Sequence, residues 1–266
     1  MYGAVIGDFI GSIYEYEQTR RIISIKPGVL ISDNSFFSDD TILTIAIIDA
    51  ILSGVSYEEK LREYGLNYID YKPNFKPYFK NSFSPGFVKW LKGDFQGNSI
   101  GNGAMMRISP VGYLFDSEDE VKKEVVLATQ PSHNSSEAID CSSIIALIIF
   151  YKRKGLSKKE IIEKLKLKYN KEDFLKFNTT CGETINNCLY ALFNSNSFED
   201  SMYKILYFGG DTDTNCAIVG SMAEAFYGID KSYIEKVNEK LPKEFVKVLS
   251  LAYKKLERSD INGANK

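Results

Sequence analysis

A single histidine, His133, occurs in the 266 residues, and that scarcity excludes more chemistry than any one motif adds. A zinc site or a Ser-His-Asp triad would have to be built around this residue alone, so both are poor readings. Cysteine is sparse as well. Cys141, Cys181, Cys188 and Cys216 stand too far apart for a CxxC pair. A thiolate nucleophile would need His133 as its base, and packing among small residues is the better account of the four thiols. No secretory leader is expected, which makes the cytoplasm the expected compartment. The tripeptides Asn134-Ser135-Ser136 and Asn178-Thr179-Thr180 fit a glycosylation pattern, but such matches are common by chance and need a secreted context.

Long apolar runs are missing too. The longest, Ile144 to Tyr151, is far short of the roughly 20 residues that span a bilayer, so no membrane helix is expected. Neither charge sign is in large excess: 33 basic against 35 acidic residues give a formal charge of −2 and no global basic field for a nucleic-acid backbone. The Lys-rich stretch from Lys152 to Lys168 alternates with Glu and reads as a solvated helix face. Nucleic acid is therefore a poor default partner. Strand-like alternation is also scarce, with Lys26 to Ile31 the best short candidate.

What the chain does carry is helix punctuation. Ser56-x-x-Glu59, Ser117-x-x-Glu120 and Ser157-x-x-Glu160 match the capping box, and Gly54, Gly155 and Gly228 stand where helices would close. Tyr68 to Gly103 and Asn170 to Thr180 read as the long irregular stretches. Residues 1–266 are expected to form one all-α domain, a multi-helix bundle of about ten helices. The segment from Asp39 to Ser53 is apolar all round and predicts a fully buried helix. Gly3, Gly7 and Gly11 share one face of the first helix, a row that costs about 1 kcal/mol per glycine unless close backbone approach requires it. Ala217, Gly220, Ser221 and Gly228 give a similar small-residue face after Asp213.

Two acidic segments open buried helices: Ser38-Asp39-Asp40-Thr41 and Asp211-Thr212-Asp213-Thr214-Asn215. Capping alone explains one such residue per helix, since Ser, Thr and Asp satisfy free N–H groups. Two carboxylates at each buried end exceed that need. Like charges raise one another's pKa, neither segment holds a Lys or Arg, and a hard divalent cation with oxygen ligands resolves the conflict. An EF-hand fails, because Cys216 stands where Gly is required and Met222 where Glu is required. A third element puts Asp8, Ser12 and Glu15 on one face of a continuous helix, either as an ordinary polar side or with Glu15 as a carboxylate that orients or deprotonates water. The run Gly97 to Arg107 is a fourth: a flexible loop, or backbone N–H groups that line an anion such as a diphosphate.

Five segments taken together resemble the ADP-ribosylglycohydrolases: Gly-Asp-x-x-Gly-Ser-x-Tyr-Glu (7–15), Ser-Asp-Asp-Thr (38–41), Gly-Asn-Gly-x-x-Met-Arg-x-x-Pro (101–110), Ser-His-Asn (132–134) and Gly-Gly-Asp-Thr-Asp-Thr-Asn (209–215). The resemblance implies an all-α orthogonal bundle with a central cleft holding two Mg²⁺ ions, sometimes Mn²⁺. It implies Ser38, Asp39, Asp40, Asp211, Asp213 and Thr214 as metal ligands and Glu15 as the catalytic carboxylate, with Asp39 and Asp40 also in the catalytic set. Gly101, Asn102, Gly103 and Met105 would hold the distal ribose and diphosphate, with His133 near the same ligand. Ser38 stands where the family usually has Thr, which keeps the hydroxyl and loses a methyl.

The implied activity is Mg-dependent hydrolysis of the N- or O-glycosidic bond joining ADP-ribose to a modified protein side chain or a small acceptor. Two alternatives stay open: a two-metal hydrolase of another ADP-ribose or nucleotide derivative, and a non-catalytic ADP-ribose-binding relative.

Overall fold

The computed structural model describes residues 1–15, 30–73, 82–94, 96–170 and 178–264. Among them are fourteen helices: α1 (Tyr2–Gly11), α2 (Asp39–Ser53), α3 (Tyr57–Asn67), α4 (Pro85–Leu91), α5 (Gly103–Met106), α6 (Ser109–Leu114), α7 (Glu118–Thr129), α8 (Ser136–Arg153), α9 (Lys158–Leu165), α10 (Cys181–Phe193), α11 (Phe198–Phe208), α12 (Thr212–Tyr227), α13 (Lys231–Lys240) and α14 (Lys243–Ala264). Two isolated β-bridges, Asn98 with His133 and Gly101 with Thr180, are the extended pairings among the described residues.

The punctuation works as expected. Ser38 caps α2 by accepting from the Asp40 N–H (3.2 Å), and Gly54 closes that helix at φ 71°. Ser117 and Ser157 form complete capping boxes with Glu120 and Glu160, whereas Ser56 makes only the first half, accepting from the Glu59 N–H. Helix α2 is buried almost all round. Ile42, Leu43, Ile45, Ile47 and Ile48 are each no more than 1% exposed, and each contributes about 1.5–3 kcal/mol on leaving water.

Helix α1 lies antiparallel against α12 at backbone contact. A Cβ on Gly3, Gly7 or Gly11 would sit 2.1, 2.0 and 2.1 Å from the carbonyl oxygens of Gly220, Cys216 and Thr212 respectively. The glycine row therefore removes three clashes, which offsets its low helix propensity. The free N–H groups of the first turn of α1 are taken by Tyr253 Oη (2.9 Å) and Glu224 Oε2 (2.7 Å). The antiparallel register brings the C-terminal end of α1 to the N-terminus of α12, where the Thr212 hydroxyl donates to the Gly11 carbonyl (2.9 Å). One continuous apolar core surrounds this pair and α2.

Three expectations need correction. Helix count exceeds the expected ten because several elements, such as α5 and α6, are too short to leave a periodic signal. Tyr68 to Gly103 is not irregular throughout: Ser84 accepts from the Phe87 N–H (3.2 Å) and Pro85 opens α4. Asp8, Ser12 and Glu15 do not share one continuous helix, because α1 stops at Gly11 and Glu15 lies in the turn that follows. Residues 26–29 of the suggested strand lie outside the described residues, as do residues 171–177 of the second irregular stretch.

Candidate active site

The site forms where three helix ends meet: the C-terminal end of α1 and the N-termini of α2 and α12. Asp8, in the last turn of α1 and fully buried, reaches across to α2. Its carboxylate accepts from Ser38 N (2.8 Å), Thr41 N (3.1 Å) and Thr41 Oγ1 (2.6 Å), and lies 2.9 Å from Ser38 Oγ. An acidic side chain from a neighbouring helix thus caps α2 alongside its own Ser38.

Ligand-capable oxygens of Asp8, Asp40 and Asp213 lie within 4.8 Å of one another, and those of Glu15, Asp211 and Asp213 do the same. Asp213 belongs to both groups. Around them, Thr214 Oγ1 donates to Asp40 Oδ2 (3.2 Å), Ser38 Oγ lies 3.1 Å from the same oxygen, and Asp213 Oδ1 accepts from the Thr214 N–H (2.9 Å). Asp40 Oδ1 is buried with no partner. Among the described residues, no Lys or Arg pairs with Asp8, Asp39, Asp40, Asp211 or Asp213.

Burial, and next the charge of Asp213, push Asp8 up to about 7 against the donors from Ser38 and Thr41. Asp40 rises well above the usual carboxylate range for the same reasons, with Asp8, Asp39 and Asp211 adding to the repulsion. Burial and Asp213 likewise raise Asp211, which the Asn102 amide partly offsets. Oxygen-only donors, two three-carboxylate groups and an orphaned buried oxygen fit a hard divalent cation in each group.

The cluster opens onto a cleft of about 410 Å³, in the size range of small-molecule sites. One wall is the glycine loop. It is pinned on both sides: Asn134 N donates to Gly97 O (2.8 Å), Asn102 N to Thr179 O (2.8 Å) and Cys181 N to Ile100 O (2.9 Å). The loop is therefore held in place, against the flexible reading. Three of its backbone donors are committed, Ser99 N to Ser132 O (3.3 Å), Gly101 N to Ser99 Oγ (3.0 Å) and Asn102 N to Thr179 O, while the N–H of Gly103 at the cleft makes no such bond among the described residues. Facing it, Phe83 and Phe87 stack with ring centroids 5.4 Å apart.

Among the residues singled out from sequence, Glu15, Asp39, Gly101, Asn102, Gly103, His133, Asp211, Asp213 and Thr214 line the cleft. Ser38 and Asp40 are buried beside Asp8 and Thr214 and do not line the cleft. Asp39 is half-buried, with Ser82 Oγ 3.4 Å from its Oδ1, and belongs to neither three-carboxylate group. Met105 is fully buried, and its neighbour Met106 lines the cleft instead, because the short helix α5 turns the 105 side chain into the core. Asp8 joins the cluster without being among the expected ligands, and its signal in the sequence is a single acid within an otherwise apolar or glycine-containing helix. Ser82, Phe83, Phe87 and Arg107 also line the cleft. For the aromatic pair, the Ser84-Pro85 helix start is the signal the sequence carries.

Comparison with known proteins identifies the family. The model of the family described as ADP-ribosylglycohydrolase matches residues 1–261. The chain is similar to ADP-ribosylarginine hydrolase Tri1 of Pseudomonas putida (strain GB-1), at 22% identity over 271 residues covering 89% of this chain and 72% of that protein. It is similar to ADP-ribosylhydrolase ARH3 of Homo sapiens at 21% identity over 311 residues, covering 86% and 84% respectively. A solved structure titled ADP-ribosylglycohydrolase-related protein complex shares the fold, with TM-score 0.66, 17% identity and coverage of 96% of this chain and 92% of that one. An all-α chain matched by the family along nearly its whole length, with its buried acids at one cleft, is an enzyme of the ADP-ribosylglycohydrolase family.

Proposed function

We propose that this chain, as one domain, hydrolyses the N- or O-glycosidic bond between ADP-ribose and a protein side chain or small acceptor, using two Mg²⁺ ions. The sharing of Asp213 between two carboxylate groups carries the reading. Asp8, Asp40 and Asp213 would hold one ion and Glu15, Asp211 and Asp213 the other, with Ser38, Asp39 and Thr214 close by. Bound there, the ions would supply positive charge near the ribose hydroxyls and the oxocarbenium-like transition state.

The chain's own groups do the rest. The glycine loop and His133 seat the phosphate and distal ribose side of the ligand, and Phe83 and Phe87 offer a face for its flat ring. Glu15, half-buried at the cleft, orients the attacking water and accepts its proton. The bond from C1″ of the ribose to the acceptor heteroatom breaks, the bond from water oxygen to that carbon forms, and the proton passes to the leaving group. All four cysteines are free thiols, in keeping with a cytoplasmic setting, and among the described residues no helix is long and apolar enough to cross a membrane.

Release of ADP-ribose from modified arginine, modified serine and O-acetyl-ADP-ribose, assayed side by side, tests the reading. Cleavage that needs Mg²⁺ and falls by at least about a thousandfold in Glu15→Gln, with ADP-ribose binding retained, supports it. Undiminished cleavage in chelator overturns it.

A further inference from the structure

Arg107 is fully buried and makes no ion pair among the described residues, although the charge of Asp39 is close enough to act on it. Its NH2 donates to Ser132 Oγ (2.6 Å), its guanidinium lies 5.9 Å from the Phe87 ring centre, and its NH1 has no partner. Ser132 Oγ is in turn 2.8 Å from Nδ1 of His133. These three side chains, 1%, 2% and 5% exposed, form a buried line whose two ends, Arg107 and His133, both border the cleft.

A guanidinium only donates, so the Ser132 oxygen must accept from Arg107. The single hydroxyl proton then needs an acceptor, and His133 Nδ1 is the one that stands within hydrogen-bond distance. If Nδ1 carried the proton instead, the Ser132 hydroxyl would be a buried donor with nothing to meet. That loss disfavours the other tautomer by on the order of tenfold or more. The ring is also neutral, because burial and the Arg107 charge push its pKa well below the usual value.

We infer that Ser132, itself held by Arg107, is a positioning residue that fixes His133 with the proton on Nε2 and so presents one neutral donor to an acceptor oxygen of the ligand. The glycine loop keeps that nitrogen open. A Cβ at Gly101 or Gly103 would lie 3.6 or 3.5 Å from His133 Nε2, so a side chain at either position would stand over the donor. A neutral donor suits an oxygen that must be bound without being fixed by full charge, and it works only if the tautomer is set beforehand.

The inference about the ligand rests on the cleft taking ADP-ribose; the tautomer itself does not. Because His133 is the chain's sole histidine, an ¹⁵N-imidazole-labelled sample of the full chain gives one unambiguous pair of ring-nitrogen signals. The expected spectrum shows protonated Nε2 and bare Nδ1. In Ser132→Ala the two tautomers mix and ADP-ribose affinity falls about tenfold, and Ser132→Thr, which restores the hydroxyl, returns both. A protonated Nδ1 in the unaltered chain, or an unchanged tautomer in Ser132→Ala, overturns the inference. Should the chain not bind ADP-ribose at all, the proposed substrate fails while the nitrogen signals still decide the tautomer.

Discussion

The Asn102 amide nitrogen donates to Asp211 Oδ2 across 2.6 Å, and this bond joins the glycine loop to the acidic cluster. Under the proposed function the loop would seat the organic part of the ligand and the cluster the cations, so the bond would link two functions through one side chain. Asn102→Ala is expected to weaken both Mn²⁺ and ADP-ribose binding by about tenfold or more, the usual worth of a hydrogen bond to a charged group. Calorimetric titration of each ligand alone checks this. Loss of ADP-ribose affinity with Mn²⁺ affinity intact would show that the bond only shapes the loop.

Gly103→Ala separates the loop's chemistry from its stability. The added methyl makes ordinary van der Waals contact with His133 and the residue is not at positive φ, so the melting temperature should hold within about 2 °C. ADP-ribose affinity should nonetheless drop, because the methyl covers His133 Nε2. A melting curve and a binding isotherm on the same preparation decide it; undisturbed affinity contradicts the role given to that nitrogen.

The α1–α12 interface predicts the opposite behaviour. A methyl at Gly7 meets the Cys216 carbonyl at 2.0 Å, and backbone cannot yield as a flexible side chain can. Gly7→Ala should cost about 3 kcal/mol or more and lower the melting temperature by roughly 6–12 °C. Gly86→Ala, on α4 with open space around it, should leave stability unchanged or raise it by about 0.5 kcal/mol. Equal melting points for the two variants would contradict the backbone contact.

Metal removal should reverse the usual pH trend. Asp8 is raised to about 7 in the metal-free fold and Asp40 and Asp211 are raised as well, while in the unfolded chain all titrate near 4. Between those values the unfolded chain holds fewer protons than the fold, so stability contributed by the protonated acids is complete below pH 4 and is lost as pH rises through 7. In chelator, the melting temperature should therefore decline from about pH 5 to pH 8, and Mg²⁺ should restore most at the upper end. A flat profile in chelator would mean the acids are not crowded as described.

Much of this was legible in the sequence, and the division follows range. Helix α2 could be read because its signals are local: Ser38 caps it, Gly54 closes it, and every face between is apolar. The acidic pairs at 39–40, in its first turn, and at 211–213 stand out for the same reason. Asp8 did not, since its partners Ser38 and Thr41 are some thirty positions away and a lone acid on a helix ordinarily faces water. The Arg107–Ser132–His133 line was hidden likewise, because 25 positions separate its first two members and no spacing rule connects them. Met105 and Met106 were exchanged as cleft residues because helix phase over a four-residue element cannot be fixed from composition.

The claim on which the rest depends is that Asp213 is common to two cation sites. Titration of the full chain with Mn²⁺, followed by electron paramagnetic resonance, tests it most directly. The account predicts two ions per chain giving a spin-coupled signal, with both sites weakened together in Asp213→Asn. A single isolated Mn²⁺, or a coupled pair that survives Asp213→Asn unchanged, would contradict it.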